Sequence, residues 1–277
     1  MKNKEALMKK VYSEYAPNEW KRLKRDAFHR LEWDTTMIFL KRYLPKKGLV
    51  LDAGGGPGRY TIELAKKGYD VILLDLAPGN LELAKRKIKK ERIERRVKEI
   101  VEGSITNLSM FKDNSFDAVL CIGGPLSHIS IEKERKKVIN ELARVAKKNA
   151  PIFISVMGKY GVMLNALKRW PGEVEMDKHF KELWKYGEDN LWLGGKGYCH
   201  FFTIEELEKL VKDELKIIET VGLEGLASVN QEELSKISKS KKFPKAYKNW
   251  LDSHYHLCTQ RTIANLSNHF LIIGRKK

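Results

Sequence analysis

The stretch that most constrains this chain is Val50-Leu51-Asp52-Ala53-Gly54-Gly55-Gly56-Pro57-Gly58-Arg59, followed about twenty residues later by Val71-Ile72-Leu73-Leu74-Asp75. An apolar run ending in an acid, a loop with glycine at alternate positions, an amphipathic stretch and a second apolar run ending in an acid spell one β-α-β nucleotide-binding unit. Gly54, Gly56 and Gly58 let the backbone turn tightly and approach a ligand with no Cβ in the way. Pro57 sets a helical φ where its missing N–H is not needed. A dinucleotide fingerprint starting at Gly54 requires glycine at position 59, where the helix packs closely on the strand, and this chain has Arg59. The pattern present is Asp-x-Gly-x-Gly-x-Gly.

Around this unit, strands and helices alternate. Strands are expected at 49–53, 70–75, 96–102, 116–122 and 150–157, with helices at 58–67, 79–91 and 132–148. Such alternation predicts a parallel sheet covered by helices on both faces. Residues 1–47 read as helical, because Leu23, Ala27, Leu31, Met37, Leu40 and Leu44 keep a period near 3.6 that stops at Pro45 and Gly48. An aromatic-rich insertion spans 158–200 and contains Pro171-Gly172 and Gly194-Gly195-Lys196-Gly197. Thr203-Ile204-Glu205-Glu206 is a capping box that opens a helix. The strand-like runs 215–221 and 270–274 then flank a second insertion, 226–268. The expected organisation is a cap over 1–47, a core over 48–157, a lid over 158–200 and a C-terminal part of the core over 201–277.

The string Asp52 to Gly58 resembles motif I of the class I S-adenosylmethionine-dependent methyltransferases, and Phe116 to His128 resembles the fourth-strand motif of the same superfamily. An acid ahead of the first glycine suits a ligand with a positive sulfonium and ammonium group and would repel a pyrophosphate. The resemblance implies an α/β fold, a Rossmann-like, doubly wound, seven-stranded, mostly parallel sheet. It also implies S-adenosyl-L-methionine as cofactor, with S-adenosyl-L-homocysteine as product. By the same resemblance Asp52, Gly54, Gly56 and Gly58 form the glycine-rich cradle. Asp75 accepts from the ribose hydroxyls and Leu76 packs on the adenine. Ser104 stands where many relatives place an aspartate for the adenine amino group, with Ile105 as its apolar neighbour. The backbone near Cys121 and Ile122 takes the ammonium group. The acceptor is expected at the loop Gly123-Gly124-Pro125, with Tyr160 and His200 as further pocket candidates and His128 as the candidate base.

The acceptor itself stays open at this level, because a shared fold confers no shared substrate. Lys and Arg number 53 against 36 Asp and Glu, a net charge of +17, and a surplus of this size raises a polyanionic partner. The chain has only two glutamines, and 32% of its residues are charged, a composition of the thermophilic kind in which Lys and Glu serve surface ion-pair networks. The acid-free run of Lys236, Lys239, Lys241, Lys242, Lys245 and Lys248 interleaves Phe243 and Tyr247. That mixture suits RNA, and Lys239, Lys241, Lys242 and Lys245 are its nucleic-acid candidates. An RNA base is therefore the first expected acceptor; a small metabolite enclosed under the aromatic lid is the alternative. A binding protein that keeps the cofactor without catalysis is a third reading. Cys121, Cys199 and Cys258 are far apart with no CxxC pair, so no metal site and no disulfide framework is expected, and the reduced cytoplasm is the expected home. No run approaches the length of a membrane span.

Overall fold

The computed structural model describes residues 2–189, 194 and 199–277. Gly195, Lys196, Gly197 and Tyr198 of the aromatic-rich insertion lie outside them. Two helices come first, α1 (Lys2–Arg22) and α2 (Ala27–Tyr43). The alternating core follows: β1 (Leu49–Ala53), α3 (Arg59–Lys66), β2 (Asp70–Asp75), α4 (Pro78–Glu91), β3 (Val97–Glu102), β4 (Ala118–Cys121), α5 (Glu132–Val145) and β5 (Pro151–Met157). The first insertion folds as α6 (Lys159–Arg169), α7 (Pro171–Val174), α8 (Asp177–Tyr186) and a two-stranded ribbon of β6 (Glu188–Asp189) and β7 (Cys199–His200). The chain then forms α9 (Ile204–Val211), β8 (Leu215–Gly222), α10 (Gln231–Ile237), α11 (Ala246–Leu257), α12 (Arg261–Asn265) and β9 (His269–Lys276).

Seven strands make one sheet in the order β3-β2-β1-β4-β5-β9-β8. Pairs from β3 through β5 are parallel, and β9 runs antiparallel to both β5 and β8. The central strands are buried on both faces, so β1, β4 and β5 read as continuous apolar runs, as sheets covered on both sides must. The edge strand β3 is only half-covered. Strand order reverses between β1 and β4, which opens a crevice at their carboxyl ends. Among the described residues no helix is long and apolar enough to cross a membrane.

Helix α1 docks on α4 over that crevice. Gly79 makes the approach possible: a Cβ there would meet the carbonyl oxygen of Ser13 at 2.3 Å. At its far end Trp20 stacks under the Arg59 guanidinium at 4.2 Å, and Arg59 also donates to the Trp20 carbonyl. The residue that breaks the dinucleotide pattern thus fastens α1. Helix α10 packs its Leu234 with Phe28 and Leu31 of α2, which places the second insertion behind α2 rather than over the crevice.

Candidate functional site

A cavity of about 980 Å³ fills the crevice between the carboxyl ends of the strands and α1. Its walls come from the loop after β1, the end of β2, the loops after β3 and β4, the last residue of β5, the first residue of β9 and one face of α1.

Asp52 takes a task that the sequence did not predict. It is fully buried and does not line the cavity. Its Oδ2 accepts from the N–H and the hydroxyl of Thr61, at 3.1 and 2.6 Å. Gly58 has no side chain with which to cap α3, so the acid at the end of β1 caps the helix from the strand. Burial pushes the Asp52 carboxyl up to about 6, against those two donors.

Gly54, Gly56 and Gly58 all have positive φ, at 76°, 57° and 77°. Gly54 and Gly56 line the cavity, while Gly58 lies beneath as the cap position of α3. At Gly56 the nearest atoms to a built Cβ are Asn80 Nδ2 and Glu19 Cγ, 3.8 and 3.9 Å away. A side chain there would project into the open cavity beside Asp75. Asp75 lines the floor at 7% exposure. Its Oδ2 accepts from Gly56 N at 2.8 Å, and its Oδ1 accepts from Ala77 N at 2.9 Å and Asn80 Nδ2 at 3.1 Å. Burial outweighs these donors and raises its pKa. The neighbouring wall carries Leu76, Ser104, Ile105 and Thr106, with Ser104 Oγ 2.9 Å from Thr106 Oγ1. This half of the cavity fits an adenosine: an acid for the ribose, apolar faces for the base, and a glycine whose Cβ would fill the space.

The loop after β4 contributes Ile122, Gly123 and Pro125 to the wall. Cys121 sits in the core beneath, its thiol pushed up to about 12 by burial. His128 lines the cavity with both ring nitrogens engaged: Nε2 lies 2.6 Å from Tyr12 Oη of α1, and Nδ1 lies 3.5 Å from Cys199 Sγ. Burial raises the Tyr12 phenol well above its ordinary value.

Beyond this loop lies a charged cluster that the sequence reading missed. Arg22, at the end of α1, grips Glu32 of α2 with both terminal nitrogens at 2.5 and 3.1 Å, and its Nε donates to Glu19 at 2.9 Å. Burial would lower the Arg22 pKa, but Glu32 and Glu19 raise it. His269 lies 2.7 Å from Glu224 through Nδ1 and 3.9 Å from Glu32. Glu224 is fully buried and also accepts from Ser267 Oγ and His269 N, each at 2.8 Å. Arg22, Glu19, His29 and His269 all line the cavity. One signal could have exposed the cluster: Glu32 occupies the buried face of α2 among Phe28, Leu31, Thr35 and Phe39, where an unpaired acid would be costly.

Other sequence candidates lie elsewhere. Tyr160 is 42% exposed on α6 and does not line the cavity. His200 is buried between Glu188 and Glu206, at 2.6 and 2.5 Å, with Arg135 close by. Burial acts to lower its pKa, but the two carboxylates raise it, so this is an ion-paired strut under the first insertion. None of the described residues of 158–200 lines the cavity, and neither does any residue of 226–268. Lys239, Lys241, Lys242 and Lys245 are exposed between α10 and the first turn of α11.

Residues 50–149 match a family model described as a methyltransferase domain. The chain is 28% identical over 144 residues to the glycine/sarcosine N-methyltransferase of Parasynechococcus marenigrum, a match covering 52% of this chain and 49% of that one. It is 31% identical over 156 residues to an uncharacterised protein of Methanocaldococcus jannaschii, covering 55% and 61% of the two chains. The chain thus spans about half the length of that glycine/sarcosine relative. Among solved structures, the fold matches a SAM-dependent methyltransferase from Methanosarcina mazei with a TM-score of 0.57 at 23% identity, over 86% of this chain and 96% of that one.

Proposed function

We propose, for a chain that is a class I S-adenosylmethionine-dependent methyltransferase, that its acceptor is a small amine held in the cavity beneath α1. The observation that carries this reading is the far end of the cavity, which one face of α1 lines together with half-buried Arg22 and His269, each paired with a buried glutamate, Glu32 and Glu224, behind it. Such a chamber suits a compact molecule with few convergent contacts. The relatives named for glycine and sarcosine methylation act on compact amines, which supports the same class.

When bound, S-adenosylmethionine supplies an electrophilic methyl on a sulfonium. Asp75 would hold the ribose, Leu76, Ser104 and Ile105 the adenine, and the backbone at Gly54 and Ile122 the amino-acid end. Tyr12 and His128, hydrogen-bonded to each other, fasten α1 to the loop after β4. Arg22 abuts Gly123 at that loop, and we assign it to orienting the acceptor. In-line displacement needs little beyond alignment and a nucleophile with a free lone pair.

The test is methyl transfer from isotopically labelled S-adenosylmethionine to glycine, sarcosine, ethanolamine and histamine, with total cellular RNA as the competing acceptor. The reading expects label in the amine fraction. Label confined to RNA would overturn it in favour of a nucleic-acid acceptor.

A further inference from the structure

His269 is the first residue of β9, opposite Met157 at the end of β5, so the sheet carries it to the acceptor end of the cavity. Its ring is fixed. Nδ1 is held 2.7 Å from Glu224, which is fully buried and pinned in turn by Ser267 Oγ and the His269 N–H. This bond leaves Nε2 as the nitrogen available to the cavity, and among the described residues nothing bonds it. A buried carboxylate that orients an imidazole on the wall of the cavity, its other nitrogen unbonded among the described residues, is the arrangement of a proton acceptor.

Resting on the small-amine reading above, we propose that His269 is a catalytic base: its Nε2 takes a proton from the acceptor ammonium, with Glu224 fixing its tautomer. An aliphatic amine is protonated near neutral pH and has no lone pair to attack with. Once Nε2 has taken one N–H proton, the freed lone pair forms the C–N bond as the methyl C–S bond breaks, and sulfur keeps that bonding pair. The methylated ammonium leaves and the proton on His269 passes to solvent. Three groups face this imidazole: Glu224 from the turn after β8, Glu32 from α2 and, paired with Glu32, Arg22 from α1. Burial and Arg22 act to lower the His269 pKa, but the two glutamates prevail and raise it. A base raised above the ordinary histidine value is matched to work near neutrality.

The experiment pairs kinetics with spectroscopy on the full chain. With sarcosine and glycine as probes, the parent should show a rate that climbs with pH and levels above a histidine-like inflection. His269→Gln should lose about 10²- to 10⁴-fold in kcat together with that inflection, while calorimetry shows unchanged S-adenosylmethionine affinity. Glu224→Gln removes a negative neighbour and should move the inflection to lower pH. Independently of folding in these variants, ¹⁵N-histidine NMR of the parent should show the neutral ring protonated at Nδ1. A neutral ring protonated at Nε2, or a His269→Gln enzyme with the parent's rate and pH profile, would overturn the base while leaving the amine reading intact. Failure of every small amine to accept a methyl would instead remove the amine reading and the base with it.

Discussion

Asp52 and Asp75 end neighbouring strands, and only Asp75 reaches the cavity. The difference lies in the turn that follows. The Gly54–Gly58 loop folds back over Asp52 so that its carboxylate meets Thr61, whereas Asp75 stays at the floor, holding the same loop through Gly56 N. Asp75→Ala should therefore weaken S-adenosylmethionine by about 2–4 kcal/mol, the order expected for two charge-assisted hydrogen bonds, as read by calorimetry; an unchanged affinity would remove Asp75 from the ribose site. Asp52 behaves differently with pH. Its folded pKa of about 6 lies above the unfolded value near 4, so the folded state binds the extra proton between those values. Stability from this residue is full below about pH 4 and is lost as pH rises through about 6, a cost on the order of 2–3 kcal/mol. Asp52→Asn keeps an acceptor for Thr61 and should flatten urea-unfolding stability between pH 4 and 7. A variant with the parent's pH slope would contradict this account. Both acids are legible in the sequence as strand ends, but which one faces the ligand depends on loop curvature and is not.

At the scale of elements, the seven strands of the main sheet were readable to within two residues, β1, β4 and β5 because strands buried on both faces can only be apolar, while the ribbon of β6 and β7 was not foreseen. The fourth is shorter than expected, Ala118–Cys121 against 116–122. The cap expected over 1–47 contains α1, one face of which lines the cavity, whereas among the described residues of 158–200, the expected lid, none lines it. The charged composition of α1 gives little amphipathic signal, while Met8, Ala16 and the adjoining Leu23 are buried. The deciding contact is Gly79 against Ser13, two segments far apart in sequence. Gly79→Ala should force α1 away from α4, costing about 1–3 kcal/mol of docking. Release of S-adenosylhomocysteine measured by stopped flow should quicken at least several-fold, with unchanged far-ultraviolet circular dichroism. Release at the parent's rate would mean that α1 does not retain the nucleoside.

For the molecule as a whole, the acid-free basic run and the cavity are separate features. The basic run between α10 and α11 lies behind α2, and no lysine of it lines the cavity. The run itself was legible in the sequence, but its place behind α2 was set by the packing of α10 on α2. Replacing Lys239, Lys241, Lys242 and Lys245 together by Gln should leave S-adenosylmethionine affinity and amine methylation unchanged. An RNA acceptor would instead reveal itself in those variants as a flatter salt dependence, by about 0.7 to 0.9 for each phosphate no longer neutralised. The most direct test of the central claim is a crystal structure of the chain with S-adenosylhomocysteine. The account predicts the ribose on Asp75, the adenine against Ser104 and Ile105, and the sulfur open to the chamber between Gly123 and His269, with α1 in place. A nucleoside bound elsewhere, or a sulfur facing away from His269, would contradict it.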